Sequence, residues 1–533
     1  MKSKLLATAV AMVGVVAALM MTGCSSSKSP DDSRSGSVPG VAGRPVTARI
    51  VGDWLTMNPY DTAGNINSIV LYSGIYDRLV GLSGDAKSAV PYLATKWDIT
   101  PTKLTFTIRS GVTCSDGTAL DAAAIAKSVQ FLTTQPEAKL LLGRGPYTVT
   151  SNSSASTVTI TLGTPFSDAL LDLTSPHASI ICPSEIAKIQ NKDTTSAIGS
   201  GAYTITEAVH NDHVKLAPRS AWTWGPNGES AKRAGFPSAL TLQVLTEDST
   251  AANELMTGQL DVASVSGPDV ARLIANKKLT HTTFGGQYLS NLVFNPRLPV
   301  LANDLKLRQA IAQSIDTKAF MQADTGGYGV TSASIFAPNG ACHDDSVASL
   351  VPAASIDEAQ ALMISDGYTL SNGKMVKDGK ALSLNLLSTT ANFSSAGQEY
   401  IAAQLGELGI TVKITSVDSA SYTSMLVKGT YDIAMQFLSG GGPAPGNYIL
   451  YLTGPSFANG GGNSSLDDPD VNTLVTKAFG ATGADQCPAW AAVQQKVISQ
   501  RDVLPLDQQT KQFFANGVKM QTLTALTLDS LTR

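Results

Sequence analysis

The chain has 533 residues, 43 % of them hydrophobic and 15 % charged, which is long enough for two or three packed units and too apolar for a disordered protein. Its 38 Lys and Arg against 42 Asp and Glu give a formal charge of -4, and the lack of any long basic run excludes the footprint of a nucleic-acid binder. Aromatic residues make up only 6 %, and past the first two dozen positions no apolar stretch nears the roughly 20 residues that span a bilayer. In chain order, Lys2 and Lys4 precede an apolar run from Leu5 to Met21, broken at Thr22-Gly23-Cys24 and followed by a Pro/Asp/Ser/Gly-rich stretch to about Gly43. Charge, apolar core and small residues in that order predict an export signal over 1–23 and a flexible linker over 24–45.

Met21-Thr22-Gly23-Cys24 resembles the bacterial lipobox, with Met where Leu is usual. The resemblance implies lipidation of the Cys24 thiol, which becomes the mature N-terminus and holds the protein at the outer face of the plasma membrane; each buried methylene contributes about 0.8 kcal/mol. The other cysteines, Cys114, Cys182, Cys342 and Cys487, are an even set in an exported chain and predict two disulfides. Three pairings are open; Cys114 with Cys182 and Cys342 with Cys487 is expected, because each pair then stays inside one unit. Cys342-His343-Asp344-Asp345 has no second ligand cluster at recognisable spacing, so no metal and no cofactor are expected. His210 and His213 read as solvated imidazoles in a polar turn.

Beyond the linker, Val46 to Val51 alternates as a strand, Trp54 to Asn65 is a loop and Ile66 to Leu79 a helical run. Leu104, Phe106 and Ile108 mark a half-buried strand, Asp121 caps a helix carrying Ile125, Val129 and Leu132 on one face, and Val158, Ile160 and Leu162 form another strand. Tyr203-Ile205 and Val214-Leu216 pair across the polar turn. Leu242 to Leu245 is a buried strand, Ser249 caps a helix stopped by Gly258, and Leu260 to Val265 returns as strand. A helix through Leu307, Ile311 and Ile315 opens at Asn303 or Asp304, and another from Tyr400 to Leu408 closes at Gly409 before the strand at Ile410, Val412 and Ile414. This alternation predicts α/β lobes with mixed sheets.

Catalytic signatures are missing. There is no Gly-x-Ser-x-Gly elbow, His-Glu-x-x-His or P-loop; Ser25 to Lys28 matches Ser-x-x-Lys only within the linker, and Gly440-Gly441-Gly442 reads as a loop that lets something approach closely. The chain is therefore read as a non-enzyme.

Leu93-Ala94-Thr95-Lys96-Trp97, Leu104 to Val112 and Asp116-Gly117-Thr118 are followed by Gly201-Ala202-Tyr203-Thr204-Ile205, Leu255 to Val262, Phe294-Asn295, Leu307 to Asp316, Gly367-Tyr368, Leu408-Gly409-Ile410 and Gly429-Thr430-Tyr431-Asp432. In this order and spacing they resemble the family 5 extracellular solute-binding proteins of ABC importers, the oligopeptide, dipeptide and nickel class, over almost the whole mature chain. Arg308, Asp316, Gly258 and Gly367 within them read as packing, capping and helix-stop residues.

The resemblance implies a two-lobed, periplasmic-binding-protein-like α/β fold of the large class II type. Lobe I would comprise 46–80, 198–290 and 497–533, an inserted subdomain 81–197, and lobe II 291–496. It implies a monomeric, lipid-anchored receptor that captures a peptide or other small solute between the lobes and delivers it to membrane permease subunits. The alternatives are a sensor or assembly lipoprotein without transport, and a secreted hydrolase. By position, the ligand-binding residues would be Gly64, Asn65, Tyr288, Asn392, Phe393, Gln436, Phe437, Leu438 and Ser439. The Asp and Arg with which peptide-binding relatives hold ligand termini are missing at 437–442 and near Asn392, so a neutral or weakly charged solute, or a longer peptide held by its backbone, is expected.

Overall fold

The strand Val46–Ile50, buried at four of its five residues, lies inside the first of two large mixed sheets. The computed structural model describes residues 43–60, 65–190, 195–285, 288–338, 340–389, 391–439, 443–453, 466, 468–522 and 526–533; the signal, Cys24 and nearly all of the linker fall outside them. The first sheet has the order Tyr203–Val209, His213–Pro218, Leu240–Val244, Val46–Ile50, Val262–Val265, Lys511–Ala515, Thr280–Phe284. Val46–Ile50 is parallel to both neighbours and the outer pairs are antiparallel.

The second sheet has the order Val330–Thr331, Val503–Gln508, Tyr288–Phe294, Ile433–Ser439, Ser383–Thr389, Thr411–Val417. Residues 288–290 and 503–508 thus pair in the second sheet, whereas the boundaries read from sequence put them in lobe I. Every residue of Val503–Gln508 is buried, and a strand covered on both faces carries no alternation that ties it to one core. The chain passes between the sheets twice, from Phe284 to Tyr288 and from Gln508 to Lys511.

Between the strands of the first lobe lies an antiparallel sheet of Ala94–Thr100, Lys103–Ile108, Thr157–Leu162 and Tyr147–Asn152. The helix Ala122–Leu132 lies alongside, its first turn capped by Asp121 accepting from the Ala124 N–H at 2.9 Å, with Ile125, Val129 and Leu132 buried. Disulfides join Cys114 to Cys182 and Cys342 to Cys487, as expected.

Some local expectations shift. The helix from Ile66 ends at Ile75, because Tyr76 is extended and Asp77–Arg78 pairs with Ser179–Ile180. The helix expected to be capped by Ser249 spans Asp248–Thr257, and Gly258 closes it at φ 77 as read; the Asp248 carboxylate binds Arg49 instead. Helix Ser395–Glu407 begins ahead of Tyr400 because the Ser394 hydroxyl accepts from the Gly397 N–H at 3.0 Å. Asp304 caps Leu305–Gln313. Arg308 donates to the carbonyls of Leu301, Ala302 and Gln500, closing two helix ends. His210 is not simply solvated: its ring stacks on Trp54 at 4.4 Å and its Nδ1 lies 2.7 Å from the Asp53 carboxylate. Among the described residues no helix is long and apolar enough to cross a membrane.

Candidate functional site

Where the chain crosses between the sheets, Tyr288 opens its strand opposite Ser439, and Phe437 lies opposite Ser290. The Tyr288 and Phe437 rings stack at 5.4 Å and 15°, and Phe393 meets Phe437 edge-on at 6.3 Å, spacings at which aromatic pairs attract beyond simple burial. Burial pushes the Tyr288 hydroxyl up to about 12. Three of the residues read from sequence are thus brought together.

The others are placed differently. Strand alternation sends Ile433, Met435 and Phe437 to one core and Ala434 and Leu438 to the other, so the run Gln436–Ser439 cannot share one face. Gln436 and Leu438 are buried on the side away from Phe437. Asn65 is committed to its own helix: its Oδ1 accepts from the N–H groups of Asn67 and Ser68 at 2.9 and 3.0 Å, and its amide donates to the Asp53 carbonyl. Asn392 gives its carbonyl to the Gln509 amide at 2.7 Å. Gly64 and Gly440-Gly441-Gly442 lie outside the described residues.

Sequence reasoning missed Lys511. Its Nζ lies 5.2 Å from the centre of the Tyr288 ring, and burial pulls its pKa down. It borders a cavity shared with Arg49, Ile66, Asn67, Ser264 and Phe284, beside the end of Val46–Ile50 and the start of Ile66–Ile75. Clefts beyond the carboxyl ends of parallel strands are where open α/β sheets take ligands. The available signal was the polar break Asp507-Gln508-Gln509-Thr510-Lys511 inside an otherwise apolar strand pattern.

That break also carries Asp507, fully buried and opposite Ser290. Burial pushes its carboxyl up to about 7, offset in part by the Ser290 hydroxyl and reinforced by the Asp324 carboxylate. Asp324 accepts from the Ser394 N–H at 2.8 Å and from Gln509 at 3.0 Å, and its pKa too is raised by burial. Among the described residues neither acid has a cationic partner.

A second set of acids joins the region 81–197 to the second lobe. Helix Pro445–Leu452 has Ala444 at its cap position, without a side-chain cap. The missing acceptor comes from Asp168, whose Oδ2 takes the Gly446 N–H at 2.7 Å while Oδ1 takes Gln486 at 2.8 Å and the Trp490 indole at 3.4 Å. Asp172 accepts from the Asn447 amide. Around them Phe166 packs on Phe479, and Phe479 on Trp490. Burial pushes Asp168 up to about 6; burial and then the Asp168 charge hold Asp172 well above the carboxylate range. A Cβ at Gly446 would stand 2.7 Å from Phe479 and 2.8 Å from Asp168, so the close fit requires glycine. No group of three or more metal-ligating side chains occurs among the described residues.

Two mixed sheets joined by two neighbouring crossings, with an aromatic cluster and a cavity at those crossings, define a two-lobed binding protein of the periplasmic type. The chain belongs to the bacterial extracellular solute-binding proteins, family 5, whose middle region matches residues 88–460. It is 25 % identical over 395 residues to the glutathione-binding protein GsiB of Salmonella paratyphi A, covering 72 % of this chain and 71 % of that one. A substrate-binding protein from Microbacterium hydrocarbonoxydans complexed with 4-hydroxybenzoate hydrazide superposes with a TM-score of 0.71 at 25 % identity, covering 92 % of this chain and 99 % of that one. NikA from Brucella suis, in complex with Fe(III)-EDTA, shares the fold at a TM-score of 0.77 and 20 % identity, covering 92 % and 99 %.

Proposed function

We propose that the protein is the extracytoplasmic receptor of an ABC importer, closing its lobes on a peptide or comparable small organic solute and handing it unaltered to the membrane permease. The observation that carries this reading is the Tyr288–Phe437–Phe393 platform at the two crossings. There, an apolar group of a solute would touch Tyr288 at the first crossing and Phe437 and Phe393 of the second lobe, with Lys511 of the first sheet 5.2 Å from the Tyr288 ring, so its contacts would differ between open and closed forms. The solute classes of the relatives, glutathione for GsiB and Met-Leu for a Pseudoalteromonas dipeptide-binding protein of the same fold, support a peptide-like ligand. Lipidation at Cys24 would keep the receptor beside its permease, acting as a monomer. Lobe I would then be 46–284 with 511–533, including the inserted region 81–197, and lobe II 288–508.

Native mass spectrometry of the purified protein, followed by calorimetry with glutathione and with short peptides, tests the reading. A bound solute released chemically intact, with Phe437→Ala weakening its binding at least tenfold, supports it. A solute returned cleaved, or affinity untouched by Phe437→Ala, refutes it.

A further inference from the structure

Arg49 and Lys511 are the two cationic side chains of the cavity at the crossings. Arg49 is fully committed: it donates to the carbonyls of Leu245, Thr246 and Ser264 and pairs with Asp248 at 2.5 Å. Lys511 makes no ion pair among the described residues, and its Nζ faces the Tyr288 ring. A largely buried ammonium without a counter-charge is costly in a folded protein. That cost falls when an anion arrives, so such a group discriminates strongly between charged and neutral ligands.

We infer that Lys511 is a specificity-determining residue that receives a carboxylate of the captured solute, while the adjoining apolar part lies on Tyr288, Phe437 and Phe393. The inference rests on the proposed capture of a solute between the lobes, and it replaces the expectation of a neutral ligand with that of an acid. A single carboxylate fits better than a phosphate for two reasons. The nearby helix Ile66–Ile75 has its Asn67 and Ser68 N–H groups already taken by Asn65, so these two donors of its first turn do not serve several anionic oxygens. Lysine also offers one point charge and no planar fork, which matches a monoanion.

The test compares wild type, Lys511→Met and Lys511→Arg in the full mature protein, using a set of di- and tripeptides, Met-Leu among them, each as the free acid and as the C-terminal amide. Binding is followed by calorimetry, and circular dichroism confirms that each variant is folded. The free acids should bind wild type at least tenfold more tightly than their amides. Lys511→Met should lose that ratio while its amide affinity stays near that of wild type, and Lys511→Arg should keep part of the ratio. Equal affinity of wild type for acid and amide overturns the role of Lys511 and leaves solute capture standing. A ratio retained in Lys511→Met overturns it in the same way. Binding of neither form by wild type overturns both the inference and the peptide-like reading on which it rests.

Discussion

Asp168→Asn isolates the charge in the contact between the region 81–197 and helix Pro445–Leu452. Asp168 is 1 % exposed, and its carboxyl rises from 3.8 to about 6 on folding. The folded state therefore holds the proton more tightly, so this group penalises folding little below pH 3.8 and progressively more as the pH climbs towards 6. At about 1.4 kcal/mol per pH unit of proton affinity, the penalty is about 1.5 kcal/mol at pH 5 and about 3 kcal/mol at pH 7 and above. Asparagine removes it. The new amide keeps an oxygen for the Gly446 N–H, and Gln486 can turn its own amide to accept from it. The Trp490 bond, the longest at 3.4 Å, is lost at about 1 kcal/mol. The variant should thus be about 2 kcal/mol more stable than wild type at pH 7 and within about 0.5 kcal/mol of it at pH 5. Thermal unfolding of both proteins at pH 5, 6, 7 and 8, read by calorimetry, gives the difference directly. A variant less stable than wild type at pH 7, or a gap that does not change between pH 5 and pH 8, would refute the reasoning.

Asp507→Asn should behave in the same sense: its carboxyl rises to about 7, so the variant should gain a few kcal/mol over wild type at pH 8 and nothing below about pH 4, measured by denaturant titration across that range. Gly446→Ala should destabilise by about 1–3 kcal/mol through overpacking against Phe479 and Asp168, with faster amide hydrogen exchange confined to Pro445–Leu452 and its partners; uniform exchange across the chain would place the strain elsewhere. Replacing Cys342 and Cys487 together by serine frees a loop of 145 residues and replacing Cys114 and Cys182 frees one of 68. Each should cost roughly 2–5 kcal/mol, with the larger loss at Cys342–Cys487 if loop entropy dominates; melting midpoints of the two double variants decide the order.

Much of the fold can be read from local patterns because local chemistry determines it. Alternation at Leu104, Phe106 and Ile108, the cap at Asp121 and the left-handed Gly258 all depend on residues a few positions apart. The assignment of Val503–Gln508 to a sheet does not, since a strand buried on both sides fits either core. The same limit governs the site. The aromatic members could be named from their segments, but alternation excludes the consecutive run around Phe437, and helix capping occupies Asn65. Asp168 and Gly446 are 278 positions apart, and nothing in either segment announces that one caps the other's helix. Lys511 and Asp507 left a trace as polar residues interrupting an apolar strand, a pattern that marks the segment as unusual without saying why.

The two crossings run side by side, with the Gln509 N–H donating to the Tyr288 carbonyl at 3.0 Å. Any swing of one sheet against the other must twist this narrow ribbon, and the ribbon also carries Tyr288 and Lys511. If Tyr288 and Lys511 hold the solute as proposed, mechanical compliance and taste for a guest molecule are written into the same few peptide units. On that reading, a substitution selected to admit a new cargo would also retune how fast the protein opens, and the two traits should evolve together.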